Sequence, residues 1–382
     1  MGLYSFIYKT QFELRQKIAG KIVGFREKIT KSKAPSFLTP IFSDENKGPK
    51  IIFILTGLIG DCIMCTPVIT QAKKIWPAAN MTVLGRKGNI QLFQVNPFVD
   101  HFYETPFMPY SIRNLAKKKK LAKWLRAEAF DIAIILTGDH FAKMLYDARI
   151  PIRVGSKGHL LQSCLTHVYD TISPEKWNHE TRLNSLRCLG YPVENILPQL
   201  WVDNVTIKSM FEKLKIKGLL YNKYIVLHPF GSTRRQWWNP DAVPDLVKSL
   251  SEHFNCQVVL IGGPETSGVF PSMDNLVDTT GSFSISELKA VIKEACFVIT
   301  TDSGPFHIAG AFHKKIIGLF RAVRPELATI YPEASVILGR NELCQATCNA
   351  YHCRQLNCAE MHEISVEAIL TKADQLQGIA ND

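Results

Sequence analysis

Short apolar runs alternate along the chain with longer stretches in which apolar residues recur every three or four positions. The runs Ile51–Leu55, Met81–Leu84 and Asp131–Leu136 predict buried strands. The stretches Thr66–Lys74 and Lys117–Arg126 predict helices between those strands. Strands and helices that alternate in this way are typical of βα units with a parallel sheet.

The alternation restarts after residues 195–222, which are rich in loop residues and contain no strong strand signal, so we predict an irregular connection there. The later predicted strands are Tyr224–His228, Gln257–Ile261, Phe297–Thr300 and Lys315–Phe320, and the later predicted helices are Asp241–His253, Ser286–Glu294 and Gly304–Phe312. Two such halves predict an α/β protein with two Rossmann-like domains that face each other across a cleft. Because open α/β sheets bind ligands at the carboxyl ends of their strands, the loops after the strands are the candidates for chemistry.

The length of 382 residues agrees with two domains. We predict an N-terminal domain at 51–205 and a C-terminal domain at 220–345, with a segment and linker at 1–50 and a cysteine-containing tail with a helix at 346–382. Since there is no uncharged apolar stretch of about 18 residues, we expect no membrane-spanning helix. We also expect no secretory signal and a reducing, cytoplasmic location.

The net charge of +11 is concentrated near the N-terminus, where residues 1–50 contain ten Lys or Arg and four Asp or Glu. Apolar residues at helical spacing there are Leu3, Ile7, Leu14, Ile18, Ile22, Phe25 and Ile29. This pattern predicts a basic amphipathic helix that suits an anionic membrane surface, although a helix packed on the protein body fits equally well. Since no nucleic-acid-binding motif accompanies the charge, we expect no nucleic-acid partner.

The first candidate loop follows the first predicted strand and has the sequence TGLIGD. Gly57 and Gly60 allow a ligand to approach the backbone, and the N-terminus of the following helix favours negative charge. Asp61 is the one ionisable residue of this loop, and its carboxylate could accept the proton of an attacking hydroxyl. The alternative is that Asp61 only caps the helix.

The second candidate loop has the sequence TTDSGPFH and also joins a strand to a helix. Ser303 and Gly304 offer hydroxyl and backbone donors, the helix dipole is equivalent to about half a positive charge, and His307 lies in the first turn. Converging donors of this kind suit a diphosphate. The alternative is a helix start capped by Asp302 or Ser303.

Two further loops carry polar residues after predicted strands. The sequence HPFGSTRRQWW contains Ser232, Thr233 and Arg235, and hydroxyls beside arginines fit phosphate contacts. We expect at least one of its two tryptophans to pack in the core. The sequence GGPE brings Glu265 to a glycine turn where a ribose diol could be held, with a plain surface turn as the alternative.

Together these loops resemble glycosyltransferase family 9, the heptosyltransferase family of lipopolysaccharide core assembly. The resemblance extends from about Ile51 to Ile364. It rests on the segments GLIGDCIMCTPVITQAKKIWPAANMTVLGR, NPFVD, IVLHPFGS, VVLIGGPE and FVITTDSGPFHIAGAF.

The resemblance implies a GT-B fold and an inverting, metal-independent transfer from a nucleotide-activated sugar, of which ADP-heptose is the best-known family donor. Asp61 matches the family's general base. The matching donor-binding positions are Ser232, Thr233, Asp302, Ser303, Gly304 and His307, and Glu265 matches the residue that holds the ribose. No cofactor is implied. The implied partners are a nucleotide-sugar donor and a glycolipid or oligosaccharide acceptor, with contact to the cytoplasmic face of an anionic inner membrane as a further hypothesis.

The chain departs from the family pattern at two positions. Gln236 stands where well-known heptosyltransferases carry a lysine, so that Arg234 or Arg235 could replace the cation or the donor could differ. The segment after Phe320 contains Arg321 and Arg324 instead of a small, glycine-containing turn. Both departures leave the donor sugar open.

Four cysteines occur close together near the C-terminus, at Cys344, Cys348, Cys353 and Cys358. Four thiolates could bind Zn²⁺, but the spacings lack the paired CxxC of a zinc ribbon and therefore favour free or buried thiols. Two rivals to a transferase also stay open at this stage. One is a sugar-nucleotide epimerase of similar fold, and the other is a binding protein that holds the nucleotide sugar without turnover.

Overall fold

The computed structural model of the protein describes residues 48–105, 115–158, 161–171, 178–231, 233–320, 331–339 and 359–378. These residues form two compact units. The first contains the described residues up to Gly57, Pro67–Ile90 and the described part of Pro97–Ile196. The second contains Leu58–Thr66, Gln91–Asn96 and the described residues from Leu197 onward. The predicted N-terminal amphipathic helix lies outside the described residues.

The first unit contains a six-stranded parallel sheet with the order β3-β2-β1-β4-β5-β6. Its strands are β1 (Lys50–Leu55), β2 (Asn80–Arg86), β3 (His101–Thr105), β4 (Ile132–Thr137), β5 (Ile152–Ser156) and β6 (His167–Tyr169). Ile51 of β1 lies between Met81 of β2 and Ile132 of β4, and all three side chains are buried. Strands covered on both faces need apolar residues at successive positions, which explains the apolar runs in the sequence.

The second unit contains another six-stranded parallel sheet with the order β12-β11-β10-β7-β8-β9. Its strands are β7 (Tyr224–His228), β8 (Gln257–Leu260), β9 (Leu276–Asp278), β10 (Val298–Thr301), β11 (Ile316–Phe320) and β12 (Ala334–Leu338). Trp238 is fully buried in the core of this unit, and its Nε1 donates to the Ile364 carbonyl at 3.0 Å. One of the two tryptophans is therefore a core residue, as the sequence predicts.

Helices connect the strands throughout the described chain. They are α1 (Ile59–Ile63), α2 (Thr66–Ile75), α3 (Leu115–Glu128), α4 (Ala142–Asp147), α5 (Asn178–Arg187), α6 (Asn204–Ile216), α7 (Val243–Phe254), α8 (Ile285–Glu294), α9 (Gly304–Ala311), α10 (Ala359–His362) and α11 (Val366–Gly378). Within the ranges that the structure describes, no helix combines the length and the apolar character needed to cross a membrane.

The two parallel sheets confirm the predicted α/β class with two Rossmann-like domains, and the bounds of each predicted strand agree with the structure to within two residues. The predicted domain boundaries stay predictions. The irregular connection expected at 195–222 is wrong in part, because α6 occupies much of it. Asp203 caps α6 by accepting from the Thr206 N–H at 2.7 Å, while Met210 and Leu214 supply its buried contacts. Ile207, Met210, Phe211 and Leu214 stand at helical spacing, so the sequence did contain a signal for this helix.

Candidate functional site

The carboxyl ends of β7 and β10 form the switch point of the second sheet. From this pair of neighbouring strands, β8 and β9 follow on one side and β11 and β12 on the other. Open α/β sheets bind ligands at such a point, outside the carboxyl ends of the strands. His228 is the last residue of β7, and Thr301 is the last residue of β10. Two of the loops singled out in the sequence therefore leave the sheet side by side.

A network of polar side chains joins these two strand ends. The Nδ1 atom of His228 lies 3.2 Å from the Ser303 hydroxyl and 3.3 Å from the Thr300 hydroxyl, and the two hydroxyl oxygens are 3.2 Å apart. Burial lowers the pKa of His228 to about 4, so the imidazole is neutral at neutral pH. His228 was not among the predicted site residues, although its position at a strand end was a usable signal. It orients Ser303 from the neighbouring strand.

The start of α9 leaves the Ser303 side chain available for this network. Ser303 occupies the N-cap position with an extended backbone, yet its hydroxyl does not cap the helix. It contacts His228 and donates to the Thr301 carbonyl at 3.1 Å instead. The capping alternative for Ser303 is therefore not realised, and Asp302 lies exposed just before it. A helix N-terminus with nearby hydroxyls favours an anionic group.

The loop that carries Asp61 packs directly against α9 within the second unit. A Cβ atom added at Gly60 would lie only 2.5 Å from Cδ2 of His307, and one added at Gly304 would lie 3.2 Å from Cγ2 of Ile59. Two glycines therefore allow α1 and α9 to approach closely. In this arrangement the backbone of Gly60 faces the His307 ring. Asp61 and the predicted donor motif lie on adjoining helices of one unit.

His307 is a neutral imidazole held between the Asp61 loop and aromatic rings. Its centroid lies 5.5 Å from that of Phe306 and 6.2 Å from that of Tyr331. Burial lowers the pKa of His307 to about 4, and the nearby Asp61 carboxylate opposes that shift. Its Nδ1 atom is buried without a hydrogen-bond partner among the described residues. Such an atom is able to form a hydrogen bond with a bound group, as donor or as acceptor.

The Asp61 carboxylate combines a local structural contact with access to solvent. Its Oδ2 atom accepts from the Leu58 N–H at 3.2 Å, which helps to satisfy the first turn of α1. Asp61 is the third residue of this helix rather than its N-cap, and the residue is only half-buried. One carboxylate oxygen of Asp61 therefore stabilises the start of α1, and this contact is compatible with a chemical role for the carboxylate.

The loop after β7 uses its polar residues partly for its own structure. Gln236 accepts from the Thr233 N–H at 3.0 Å through Oε1, so its side chain turns back on the loop. The Arg234 guanidinium lies 5.3 Å from the centroid of the Trp237 ring. Thr233 remains exposed. Ser232 and the side chain of Arg235 lie outside the described part of the structure.

Glu265 lies on the turn that follows β8, the strand next to β7. The turn Pro264–Thr266 is a single 3-10 turn, and the exposed Glu265 carboxylate lies over Gly263. The Gly262 carbonyl accepts from the Gly281 N–H at 2.9 Å and fixes the base of the turn. Glu265 is therefore displayed at the same sheet edge as His228 and Ser303.

In the first unit, the backbone of Gly57 is engaged by side chains of the same unit. Its N–H donates to Oγ1 of Thr137 at 2.8 Å, and its carbonyl accepts from Nδ2 of Asn89 at 2.8 Å. These contacts fix the loop that follows β1, beside the carboxyl end of β4. The strands β1 and β4 are the switch-point strands of the first sheet. Gly57 thus has a structural role in shaping this loop.

The described residues contain no group of three or more His, Cys, Asp or Glu side chains suited to hold a metal ion. Cys344, Cys348, Cys353 and Cys358, the four cysteines considered for zinc binding, all lie outside the described ranges.

Comparison with known proteins gives consistent results. A family model described as glycosyltransferase family 9 (heptosyltransferase) matches residues 118–358. Lipopolysaccharide heptosyltransferase 3 of Escherichia coli K12 is 25% identical over 284 residues, which cover 69% of this chain and 80% of the relative.

Solved structures of the family share the fold. A family 9 glycosyltransferase from Veillonella parvula superposes with a TM-score of 0.74 at 18% identity, covering 88% of this chain and 99% of the other. The Escherichia coli ADP-heptose lipopolysaccharide heptosyltransferase II superposes with a TM-score of 0.72 at 19% identity, covering 87% of this chain and 100% of the other. The predicted GT-B class is thereby confirmed. Because the family model spans well over half of the sequence, the chain belongs to glycosyltransferase family 9, the heptosyltransferase family, and is a glycosyltransferase.

Proposed function

We propose that this glycosyltransferase moves a heptose from ADP-heptose to a lipopolysaccharide-core or related glycolipid acceptor, by an inverting reaction that needs no metal. The names of the relatives support the sugar and the acceptor class, since they include lipopolysaccharide heptosyltransferase 3 and an ADP-heptose lipopolysaccharide heptosyltransferase. The observation that carries the proposal is the packing of α1 against α9. It keeps a partly accessible carboxylate, Asp61, beside the strand-end network at the start of α9.

In the proposed reaction, an acceptor hydroxyl oxygen attacks the anomeric carbon of the donor sugar. Asp61 takes the proton of that hydroxyl as the new C–O bond forms. The bond between the anomeric carbon and the diphosphate oxygen breaks, and the nucleoside diphosphate leaves with the electron pair. Because attack and departure occur on opposite faces of one carbon, the configuration at that carbon inverts.

The proposed donor site is the N-terminus of α9 with the loops beside it. The diphosphate lies against the helix start at Ser303 and Gly304, with hydrogen bonds from Ser303 and Thr233. His307 contributes a hydrogen bond rather than a charge, since its pKa is lowered to about 4 by burial. Fixed dipoles and the helix N-terminus then stabilise the charge on the leaving diphosphate. Asp302, Ser232 and Arg235 complete this proposed site, and Glu265 holds the ribose.

A membrane-linked acceptor is part of the same proposal. The basic helix α3 supports an anionic acceptor, because residues 117–120 are four consecutive lysines and most of their side chains are exposed. We propose that the enzyme works at the cytoplasmic face of the inner membrane, where the basic N-terminal segment meets anionic lipid.

The test is turnover of an Asp61→Asn variant with ADP-heptose and an acceptor lacking the heptose, with product detected by mass spectrometry. Asparagine can still accept from the Leu58 N–H, so the start of α1 is preserved. We expect kcat to fall about 100-fold or more, while ADP still stabilises the variant against thermal unfolding. The matched control is Asp203→Asn, which replaces another carboxylate that accepts a backbone N–H at a helix start and should leave turnover unchanged.

Near-normal turnover by Asp61→Asn would remove this residue from the proposed mechanism. Thermal stabilisation by UDP or GDP in place of ADP would redirect the donor assignment. In contrast, a wild-type protein that binds no nucleotide at all would contradict the proposed donor site at α9.

A further inference from the structure

The segment between α6 and β7 displays three large apolar side chains to solvent. Ile216, Leu220 and Tyr221 are 85%, 74% and 68% exposed. We call residues 215–223 the basic tip. Scattered single apolar residues are normal on a protein surface, but three within six positions form a local cluster.

The backbone of the basic tip is held in a defined conformation. Gly218 adopts a positive φ of 102°, and the Leu219 N–H donates to the Leu214 carbonyl at 2.9 Å, which ends α6 in a glycine-dependent cap. The buried Gln257 side chain accepts from the Leu220 N–H at 2.7 Å and donates to the Gly218 carbonyl at 3.0 Å. The apolar side chains of the tip are therefore held outward by an ordered backbone.

Exposed lysines flank the apolar side chains. Lys215, Lys217 and Lys223 are exposed, and residues 213–240 contain no Asp or Glu. Lys213, one turn earlier, is already paired with Glu287 at 2.7 Å. The tip thus combines apolar groups with three lysines and contains no acidic residue of its own, the nearest in the sequence being Glu212.

From this combination we propose that the basic tip docks on the surface of an anionic lipid bilayer. Lysines near such a surface are attracted to its anionic headgroups, and a tyrosine with aliphatic neighbours suits the boundary between headgroups and acyl chains. A second copy of the chain is a poorer partner, because a symmetric contact would bring lysines against lysines. Three side chains also offer much less than the about 800 Å² per partner of a standard protein interface.

The position of the tip separates this role from the chemistry. The tip ends at Lys223, immediately before β7 begins at Tyr224, whereas the network around His228 lies at the opposite end of the same strand. Bound lipid at the amino end of β7 would therefore leave the loops at the carboxyl end uncovered. Changes in the tip are expected to leave nucleotide binding intact, so the proposal and the proposed function can fail independently.

The test measures partitioning of the full-length protein onto vesicles by sedimentation. The vesicles contain phosphatidylglycerol and phosphatidylcholine, with pure phosphatidylcholine as the uncharged comparison. The triple variant Ile216→Ser, Leu220→Ser, Tyr221→Ser should bind the anionic vesicles at least tenfold more weakly. Replacing a tip lysine by glutamine should weaken binding about fivefold per lysine at low salt. The control is Val205→Ser, which changes an apolar residue that is 80% exposed at the other end of α6 and should have no effect.

Hydrogen–deuterium exchange supplies a readout confined to the tip, independent of the basic N-terminal segment. Anionic vesicles should slow exchange in residues 214–223, and uncharged vesicles should not. ADP-induced thermal stabilisation of the triple variant should equal that of the wild type. Unchanged partitioning of the triple variant, or unchanged exchange at the tip while the protein is vesicle-bound, would overturn the proposal. Protection that follows protein concentration without lipid would also overturn it and assign the tip to self-association.

Discussion

The contact between Gly60 and His307 allows a prediction whose sign depends on the tertiary structure. Gly60 lies within α1, and replacing a glycine in a helix by alanine normally stabilises it by up to about 1 kcal/mol. In this fold the new Cβ atom would lie 2.5 Å from Cδ2 and 3.0 Å from Nε2 of His307. Local sequence and tertiary packing therefore predict opposite effects for Gly60→Ala.

The cost of the steric clash should exceed the gain in helix propensity. Forcing an extra methyl group into a packed contact costs about 1–3 kcal/mol, because the ring and the helix must shift. Taking about 2 kcal/mol for the clash and about 1 kcal/mol for the gain in helix propensity, we expect a net loss of about 1 kcal/mol. For a folding unit of 150–250 residues this corresponds to a decrease in Tm of about 2–4 °C.

The assay is a double-mutant cycle followed by thermal or urea unfolding. It compares the wild type, Gly60→Ala, His307→Ala and the double variant. Once the His307 ring is absent, the alanine at position 60 should be neutral or stabilising, so the two substitutions should couple by about 1–2 kcal/mol. A Gly60→Ala protein with an unchanged or higher Tm, or a cycle without coupling, would refute the reasoning about this contact.

Two buried ionisable residues give further predictions. Lys289 is buried and donates to the carbonyls of Leu92 at 3.3 Å and Trp201 at 2.9 Å, and burial lowers its pKa from 10.5 to about 8. Between pH 8 and 10.5 the unfolded chain therefore binds more protons than the folded chain. The free energy of unfolding of the wild type should rise across that window by up to about 3 kcal/mol relative to Lys289→Met. Urea midpoints measured at several pH values test this. Parallel pH profiles would contradict this. His228, with its pKa lowered from 6.5 to about 4, should reduce stability as the pH falls from 6.5 to 4, since only the unfolded chain takes up the proton. The His228→Gln variant should lose about 3 kcal/mol less stability than the wild type over this pH range. An acid-unfolding curve identical to that of the wild type would exclude a buried, neutral His228 as the cause.

The central strands of both sheets were predictable because burial on both faces leaves a continuous apolar run. Tyr224–His228 begins and ends where the sequence placed it, β1 differs by one residue at its start, and β4 differs by one residue at each end. The edge strands were missed. β3, β6 and β9 are short or polar, and only their pairing with a neighbour makes them strands. The edge strand β12 and the inner strand β5 were missed as well.

Some residues of the candidate site were likewise predictable from the sequence and others were not. Their position in loops after strands made Asp61, Ser303 and Glu265 candidates, because open α/β sheets bind ligands outside the carboxyl ends of their strands. The part played by His228 was missed although its place at a strand end was a usable signal, because the sequence does not show which residues of the neighbouring strand the histidine contacts.

What the amino-acid sequence determined by itself was the alternation of strands and helices, the two-domain class and the loops worth inspecting, because these depend on local periodicity and on the chemistry of short motifs. Tertiary structure decided which distant residues meet. It brought Gly60 against His307, aligned Ser303 with His228 and left the basic tip exposed. These outcomes depend on contacts between residues far apart in the chain and on which side chains folding buries away from water. A local sequence pattern specifies neither the contacts nor the burial.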